Sequence, residues 1–232
     1  MGVRRHTAPD PDAGRQGVSG VLSATFWFAI LMFIPGYVIG SISSGFLVGK
    51  IYRNVDLRRV GSGSTGATNT LRSLGPGAAL LVAVLDILKG VAAVWLAKLL
   101  VPETTELSMF AQGAAAIGAV AGHCWPLLLE GRGGRGVAVG FGAIMIIATQ
   151  AWVVSVAGFV LGLVVTRIVS VASLSAVVGA LLGYAVLTMI GVITPYAGAV
   201  AFLVIATIII VYRHRANIGR LLRGAEPRLG GT

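Results

Sequence analysis

The sequence predicts an all-α, polytopic integral membrane protein with seven transmembrane helices. Of its 232 residues, 56% are hydrophobic and 11% are charged, whereas soluble domains carry about 25% charged residues. The apolar residues form long stretches, and a helix that crosses a bilayer needs about 17–25 of them. The 33 glycines are typical of closely packed membrane helices, because small residues let two backbones approach each other.

Seven apolar stretches define the predicted spans, and short polar loops separate most of them. The spans cover residues 24–51, 77–100, 108–129, 137–150, 151–168, 172–190 and 196–212. The fourth is short, and no strong turn divides it from the fifth near Thr149 and Gln150, so six spans is the alternative. Residues 1–20 are polar and are predicted to form a disordered tail. A membrane domain is expected over 21–225, followed by a C-terminal tail over 226–232.

The positive charges predict the orientation. Arginines cluster in the loops after spans one, three, five and seven, while the opposite side carries Glu103 and Glu106. By the positive-inside rule, the arginine-rich loops and the C-terminus face the cytoplasm and the N-terminus lies outside. The net charge of +10 therefore points to membrane lipids and anionic substrates as partners, and not to nucleic acid.

The first of these loops has the composition of a phosphate-binding loop. It contains three glycines and several hydroxyl groups just before a basic residue: Gly61, Ser62, Gly63, Ser64, Gly66, Thr68, Asn69 and Arg72. Glycines let the backbone turn tightly and direct several N–H groups toward one point, while hydroxyl and guanidinium groups add donors and charge. A plain connector between two membrane helices is the alternative.

A second loop on the same side combines three glycines with an arginine and leads directly into the fourth span. It reads Gly133, Gly134, Arg135 and Gly136. Free N–H groups at a helix start and a flexible glycine turn make an anion site. For Arg132, a role in fixing orientation is equally compatible with the sequence; the glycines on both sides of Arg135 favour a functional role for that residue.

Further polar residues return to the same face. Ser173 lies one turn after Ser170, and the alternative for both is a capping role. His214 and Asn217 end the last span; each can donate and accept hydrogen bonds. For Arg220 and Arg223, a basic helix at the membrane surface is the favoured interpretation.

Three ionisable residues fall within or at the ends of spans. Asp86 and Lys89 are three apart in span two and can pair on one helix face, and His123 ends span three. Ionisable groups inside a membrane are costly and are usually paired or functional, so a supporting role is expected, with a structural ion pair as the alternative. The sequence contains no GxxxxGK[ST] loop and no metal-ligand cluster, which disfavours an ATPase or a metalloenzyme. No metal and no cofactor are expected.

These motifs, in this order, resemble the bacterial PlsY family of acyl-phosphate:glycerol-3-phosphate acyltransferases. The resemblance is carried by Gly40-Ser41-Ile42, Gly61-Ser62-Gly63, Gly66-Ala67-Thr68-Asn69, Leu85 to Gly90, Gly122-His123 with Pro126, Gly133 to Ala138, and Tyr212 to Arg215 with Asn217. It covers about residues 37 to 225. It implies seven spans, an outside N-terminus and an active site at the cytoplasmic face of the bacterial plasma membrane.

The resemblance also implies an activity: transfer of a long-chain acyl group from acyl phosphate to the 1-hydroxyl of glycerol 3-phosphate, giving lysophosphatidic acid and inorganic phosphate in the first step of phospholipid biosynthesis. By position, the active-site residues would be Ser62, Thr68, Arg72, Arg135, Ser173, His214 and Asn217. The glycine loops would hold the two phosphates. His214 is expected to position substrate, with general-base catalysis as the alternative.

Two other classes of protein remain compatible with the residues alone. A transporter or channel for small organophosphate anions would suit arginine-lined glycine loops, but the acidic outer loops offer no matching site and no internal repeat of the spans is evident. A non-catalytic lipid-binding membrane subunit would have no need of Ser173, His214 and Asn217.

Overall fold

The computed structural model describes residues 27–28, 31–101 and 104–230, and it contains no β-strand within that part of the chain. The predicted all-α class is therefore confirmed for these residues. The predicted N-terminal tail (1–20) and Glu103 lie outside the described residues.

Ten helices follow one another along the described chain. They are α1 (31–41), α2 (Ser44–Arg53), α3 (Ala67–Leu74), α4 (Pro76–Leu100), α5 (Glu106–Cys124), α6 (Val137–Ile147), α7 (Thr149–Thr166), α8 (Val169–Met189), α9 (Ala197–Arg213) and α10 (Arg215–Leu222). Short 3₁₀ turns cover Leu57–Arg59 and Leu127–Leu129. Local chemistry explains several boundaries: Pro76 occupies the first turn of α4, where a missing N–H costs nothing, and the Thr105 side chain caps α5 by accepting from the Ser108 N–H.

Five helical stretches in the described chain are long and apolar enough to cross a membrane: Leu31–Arg53, Pro76–Leu100, Glu106–Leu129, Thr149–Thr166 and Val169–Met189. The pair α9 and α10, bent by 59°, makes a sixth if it is counted as one span. Helix α6 has 11 residues, a rise of about 16 Å, whereas the hydrocarbon core is about 30 Å thick. A total of seven spans therefore stays a prediction.

The breaks between spans differ in place from the sequence-based boundaries. Between the predicted spans four and five the chain breaks at Ala148, whose extended backbone (φ −152°, ψ 78°) ends α6 at Ile147. The predicted first span, 24–51, is also interrupted, because residues 42–43 leave the helix between α1 and α2. Neither break carries a proline, so the residue types gave no signal of it.

Glycine at helix crossings explains how the helices pack. Helices α5 and α9 meet at Gly113 and Gly198, where a Cβ on either residue would overlap the backbone of the other helix. Helices α4 and α6 meet in the same way at Gly90 and Gly142. Small residues at such crossings let the backbones come into contact, and the predicted use of glycine for close helix packing is confirmed at these positions.

The exterior of the helices is strongly apolar, as expected for contact with lipid. Leu161 and Val165 on α7 are 66% and 71% exposed, while the interior is filled mostly by alanine, glycine and valine. In a soluble protein such large exposed side chains would be unfavourable. In a bilayer they face hydrocarbon, so the interior gains little from large apolar residues and depends on close backbone packing.

The C-terminal segment folds back onto the loop between α7 and α8. The Leu229 N–H donates to the Arg167 carbonyl oxygen at 2.7 Å, and Glu226 is only 8% exposed. The sequence analysis assigned Glu226 to a C-terminal tail; in the structure this residue is packed against the helices. The fold thus brings the ends of α7, α8, α9 and α10 together beside the candidate site.

Candidate active site

The glycine-rich loop before α3 is shaped by local hydrogen bonds on its N-terminal side. Asp56 caps the 3₁₀ turn by accepting from the Arg58 N–H at 3.0 Å, and it also pairs with the Arg58 guanidinium at 2.8 Å. The hydrogen bond from the Arg58 side chain lowers the pKa of Asp56 to about 2, so the pair is ionised at neutral pH. Gly61 and Gly63 then take φ values of +57° and +70°, a region that favours glycine.

Asn69 fixes the shape of that loop from inside. Its side-chain amide donates to the carbonyl oxygens of Leu57 (3.1 Å), Val60 (3.0 Å) and Ser64 (2.9 Å), and its Oδ1 accepts from the Ser62 N–H at 2.8 Å. Asn69 is 2% exposed. These contacts give Asn69 a role in holding the loop, while direct contact of its side chain with phosphate stays a prediction.

The second glycine loop is clamped from two sides. His123 accepts the Gly134 N–H through its carbonyl oxygen at 3.0 Å. Arg213 donates from Nε to the Gly134 carbonyl and from Nη2 to the Gly133 carbonyl, both at 3.1 Å, and its guanidinium lies 5.6 Å from the centre of the Trp125 ring. The backbone before Arg135 is therefore held in one conformation.

Arg135 is half-buried at the end of this loop. Burial lowers the pKa of its guanidinium to about 10; Glu226 acts in the opposite direction, and the positive charges of Arg220, Arg72 and Arg213 lower it further. Arg135 stays protonated at neutral pH in a position where water solvates it poorly. Such a buried cation close to other cations is a favourable place for an anion.

The predicted pairing of Asp86 with Lys89 is confirmed. Lys89 Nζ lies 2.9 Å from Asp86 Oδ1, and it also contacts the Ile42 carbonyl oxygen at 3.0 Å and His123 Nδ1 at 2.8 Å. Because an ammonium group only donates, His123 Nδ1 accepts and the ring carries its hydrogen on Nε2. That nitrogen faces Gly134 so closely that a Cβ there would overlap it. This buried network thus supports the second glycine loop.

His214 lies at the bend between α9 and α10 and is 1% exposed. Its Nδ1 lies 2.8 Å from the Ile210 carbonyl oxygen. Since a carbonyl oxygen only accepts, Nδ1 carries the hydrogen and Nε2 is left as the acceptor of the ring. His214 lines the cavity shared by most of the predicted site residues, which is the main cavity of the candidate site, and an acceptor of this kind can receive a hydrogen bond there from a substrate hydroxyl group.

A buried carboxylate, missed by the sequence analysis, organises the neighbouring polar residues. Glu226 Oε1 accepts from Ser170 Oγ at 2.9 Å and from Asn217 Nδ2 at 2.5 Å, and its Oε2 accepts from Arg220 Nε at 2.7 Å. Burial alone raises the pKa of Glu226, but these hydrogen bonds lower it below its ordinary value. Arg220 therefore forms a partly buried ion pair with Glu226, whereas the prediction placed it on a basic helix at the membrane surface.

These elements converge on one cavity of about 290 Å³. The predicted site residues that line it are Ser62, Ser64, Gly66, Thr68, Asn69, Asp86, His123, Arg135, Gly136, Ser173 and His214. Gly61, Gly63, Gly133 and Gly134 belong to the two loops but do not line the cavity, and neither do Lys89 and Asn217, which are buried behind it. Arg72 is exposed on α3 and acts on Arg135 through its charge.

Part of the cavity lining is apolar. It consists of Ala83 and Ile87 of α4, Phe141 of α6, Phe159 of α7 and Val169 of α8. A cavity with both cationic and apolar lining residues is suited to an amphipathic molecule that has an anionic group and a hydrocarbon chain. Among the described residues, no group of three His, Cys, Asp or Glu side chains is placed to hold a metal ion.

Comparison with known proteins identifies the family. Residues 30–224 match the family model described as glycerol-3-phosphate acyltransferase. A glycerol-3-phosphate acyltransferase of Parasynechococcus marenigrum (strain WH8102) is 42% identical over 205 residues, which cover 87% of this chain and 90% of the relative. The chain belongs to the glycerol-3-phosphate acyltransferase family. The corresponding protein of Synechococcus sp. (strain CC9902) is also 42% identical, over 87% of this chain and 96% of its own length.

Solved structures of this family have the same fold. The crystal structure of PlsY (YgiH), an integral membrane glycerol 3-phosphate acyltransferase, in its glycerol 3-phosphate form has a TM-score of 0.76 and 33% identity, covering 87% of this chain and 96% of that one. Its lysophosphatidic acid form has a TM-score of 0.74 and 32% identity, over 87% and 95%. The resemblance to the PlsY family is confirmed: the chain is a membrane enzyme of phospholipid biosynthesis that acylates glycerol 3-phosphate.

Three features of the site were missed by the sequence analysis. Arg213 was not predicted as a site residue, although it is the neighbour of His214 in the sequence. Glu226 is an acidic residue within a basic C-terminal segment, and that contrast was the available signal. Phe141 belongs to a uniformly apolar helix, where no pattern in the sequence separates a cavity-lining aromatic from one that faces lipid.

Proposed function

We propose that this enzyme takes its acyl group from a long-chain acyl phosphate. The acceptor is the 1-hydroxyl group of glycerol 3-phosphate, and the products are lysophosphatidic acid and inorganic phosphate. The observation that carries the proposal is that one cavity is lined by residues of both glycine-rich loops, by Arg135 and His214, and also by Phe141 and Phe159. The glycerol 3-phosphate and lysophosphatidic acid forms of PlsY support the same acceptor and product.

The reaction requires positioning and charge stabilisation more than a strong base. The hydroxyl oxygen of glycerol 3-phosphate attacks the acyl carbonyl carbon, the bond from that carbon to the phosphate oxygen breaks, and inorganic phosphate leaves. Arg135 and the backbone donors of the loops stabilise the charge that moves onto the departing phosphate. Bringing hydroxyl and carbonyl groups together supplies much of the rate.

We assign His214 the role of positioning the attacking hydroxyl group. As substrate binds, its Nε2 accepts a hydrogen bond from the hydroxyl group; during the attack the hydroxyl turns this hydrogen to a phosphate oxygen of the substrate, which takes the proton. Exchanging His214 for Gln keeps a neutral acceptor but removes the basic nitrogen, so the variant retains a measurable share of the wild-type kcat while His214→Ala does not. Equal inactivity of the two variants, with substrate binding retained, would instead indicate general-base catalysis.

The donor is tested by measuring inorganic phosphate release from palmitoyl phosphate by purified protein in lipid, with and without glycerol 3-phosphate. We expect release that depends on glycerol 3-phosphate, with lysophosphatidic acid formed in equal amount and palmitoyl-CoA inert. Turnover with palmitoyl-CoA alone would refute the proposed donor while leaving the acylation of glycerol 3-phosphate intact.

Two arginines of one loop provide a matched pair of variants. Arg135 lines the cavity, whereas Arg132 is exposed and does not line it. Arg135→Gln is expected to lose about two orders of magnitude in kcat/KM, as for removal of one charge-stabilising donor. Arg132→Gln removes the same charge from the same loop and is expected to stay within about twofold of wild type, because an exposed charge contributes little.

We further propose seven spans with the active site at the cytoplasmic face of the bacterial plasma membrane. The arginine-rich loops support this orientation, and α5, with 19 residues, separates Glu106 from the loop of Arg132 by about 28 Å. Single cysteines at these two positions, in a Cys124→Ala background, test it with a membrane-impermeant maleimide. Position 106 should react in intact cells and position 132 only in inverted vesicles; the reverse pattern would refute the orientation.

A further inference from the structure

A second, smaller cavity adjoins the candidate active-site cavity. It has a volume of about 30 Å³ and is bordered by α6, α7, α8 and α9. Val137 and Phe141 line both this cavity and the main one. Because they are four residues apart in α6, their side chains share one face of that helix. This face is therefore a partition between the two cavities.

Small residues create the second cavity. The helices meet there at Gly140, Ala176, Ala180 and Ala206, which leave space between the larger apolar side chains. Ser155 and Thr207 supply the hydroxyl groups of an otherwise apolar lining. A small cavity of this composition holds water poorly and accepts hydrocarbon.

Phe141 is the larger part of the partition. Its ring lies 5.3 Å from that of Trp152, centre to centre, with the planes tilted by 55°. This arrangement is a favourable aromatic contact and holds the Phe141 ring in place between the two cavities that it lines. Removing the ring would join the two cavities. The packing of α6 against α4 would largely remain, because it uses Gly142 and Gly90 on another face of α6.

We propose that Phe141 ends the acyl-chain site and thereby limits the chain length that the enzyme uses efficiently. The second cavity is the space into which further methylene groups extend once the ring is absent. This inference rests on the proposed function, because it requires the acyl chain of donor or product to lie in the main cavity. If the acyl chain instead left the cavity sideways into the bilayer, replacing Phe141 would not change the chain-length preference.

The test compares wild type with Phe141→Ala and Phe141→Leu over lauroyl, myristoyl, palmitoyl and stearoyl phosphate, each in excess lipid. We expect the ratio of kcat/KM for stearoyl to lauroyl phosphate to rise in Phe141→Ala. Each methylene that becomes buried contributes about fourfold, equivalent to ~0.8 kcal/mol. Phe141→Leu should shift the ratio in the same direction by less, and it decides the question if the alanine variant does not fold.

Filling the second cavity provides the decisive control. Ala180→Leu adds a side chain inside that cavity, so the double variant with Phe141→Ala should return the ratio toward wild type. Leu161→Ala, on the lipid-facing side of α7, removes a similar apolar group without touching either cavity and should leave the ratio unchanged. A chain-length profile of Phe141→Ala parallel to wild type, or a double variant identical to Phe141→Ala, would overturn the inference.

A second measurement distinguishes failure of this inference from failure of the proposed acyl phosphate donor. The same four chain lengths are presented as lysophosphatidic acids, and inhibition constants are measured with whichever donor the wild-type enzyme uses. If acyl phosphate is inert, these constants still report the acyl site. A longer-chain preference in Phe141→Ala then supports the inference, and a profile unchanged from wild type overturns it.

Discussion

Replacing Arg213 by lysine tests whether the second glycine loop is held by geometry or only by charge. The Arg213 guanidinium donates to the carbonyl oxygens of Gly133 and Gly134 at once, each at 3.1 Å. A lysine ammonium keeps the charge but has no planar fork for two adjacent carbonyls. Losing one charged hydrogen bond costs about 1.5–3 kcal/mol, which corresponds to a fall in kcat/KM of about 10- to 150-fold if the loop positions Arg135.

The assay is phosphate release at varied glycerol 3-phosphate, in a double-mutant cycle with Arg135→Lys. Because Arg213 does not line the cavity and acts through the loop, its replacement should cost much less when Arg135 has already been changed. Arg215→Lys is the matched control, since Arg215 is exposed at the start of the next helix and bonds only the Tyr212 carbonyl among backbone groups. An Arg213→Lys enzyme within twofold of wild type would refute the reasoning, as would equal losses in both backgrounds.

Three further substitutions test other parts of the site. Glu226→Gln removes the negative charge of a partly exposed ion pair, so we expect the free energy of unfolding to fall by about 1–2 kcal/mol. The change is measured as a lower thermal midpoint in detergent. Asn69→Ala leaves the first glycine loop without its internal hydrogen bonds; kcat/KM should fall about 100-fold while the protein still elutes as a folded species. Gly134→Ala forces a Cβ against the His123 ring and should inactivate the enzyme, whereas Gly77→Ala, which meets no atom within 4 Å, should not.

The parts of the site that depend on local chemistry could be predicted from sequence. A run of glycines and hydroxyl groups, as around Ser62, requires a tight turn wherever the loop lies, and the glycines on both sides of Arg135 mark this residue as a functional candidate by the same reasoning. A division close to the break at Ala148 was predicted, near Thr149 and Gln150, whereas the break at 42–43 was not, because no proline or other breaker marks it. Glu226 was missed for a different reason: its partners Ser170 and Arg220 come together only after the chain has folded back.

Asn69 shows why a residue's place in a loop does not by itself define its role. The sequence analysis placed it among the phosphate-binding residues as a member of the first glycine-rich loop. In the structure its side-chain polar atoms bond the backbone of Leu57, Val60, Ser62 and Ser64. A residue that shapes a phosphate loop and one that touches the phosphate have the same neighbours in sequence, so side-chain contacts are needed to separate them.

The electrostatics of the site lead to a last prediction, that substrate stabilises the protein. Arg135 is half-buried and feels the positive charges of Arg220, Arg72 and Arg213, with Glu226 opposing them. A phosphate dianion beside this cluster reduces the repulsion between the cations. It also gives the poorly solvated Arg135 guanidinium a negatively charged partner. Any ligand that binds only the folded state stabilises it, by about 2.7 kcal/mol at a hundredfold excess over Kd.

Glycerol 3-phosphate should therefore raise the thermal midpoint of the purified enzyme, and glycerol at the same concentration should not. The shift should shrink as salt is raised, because the attraction is screened, and it should largely vanish in Arg135→Gln while persisting in Arg132→Gln. A shift of equal size in both variants would mean that the phosphate is bound elsewhere, and the role assigned to Arg135 would then be wrong even if the variant were inactive.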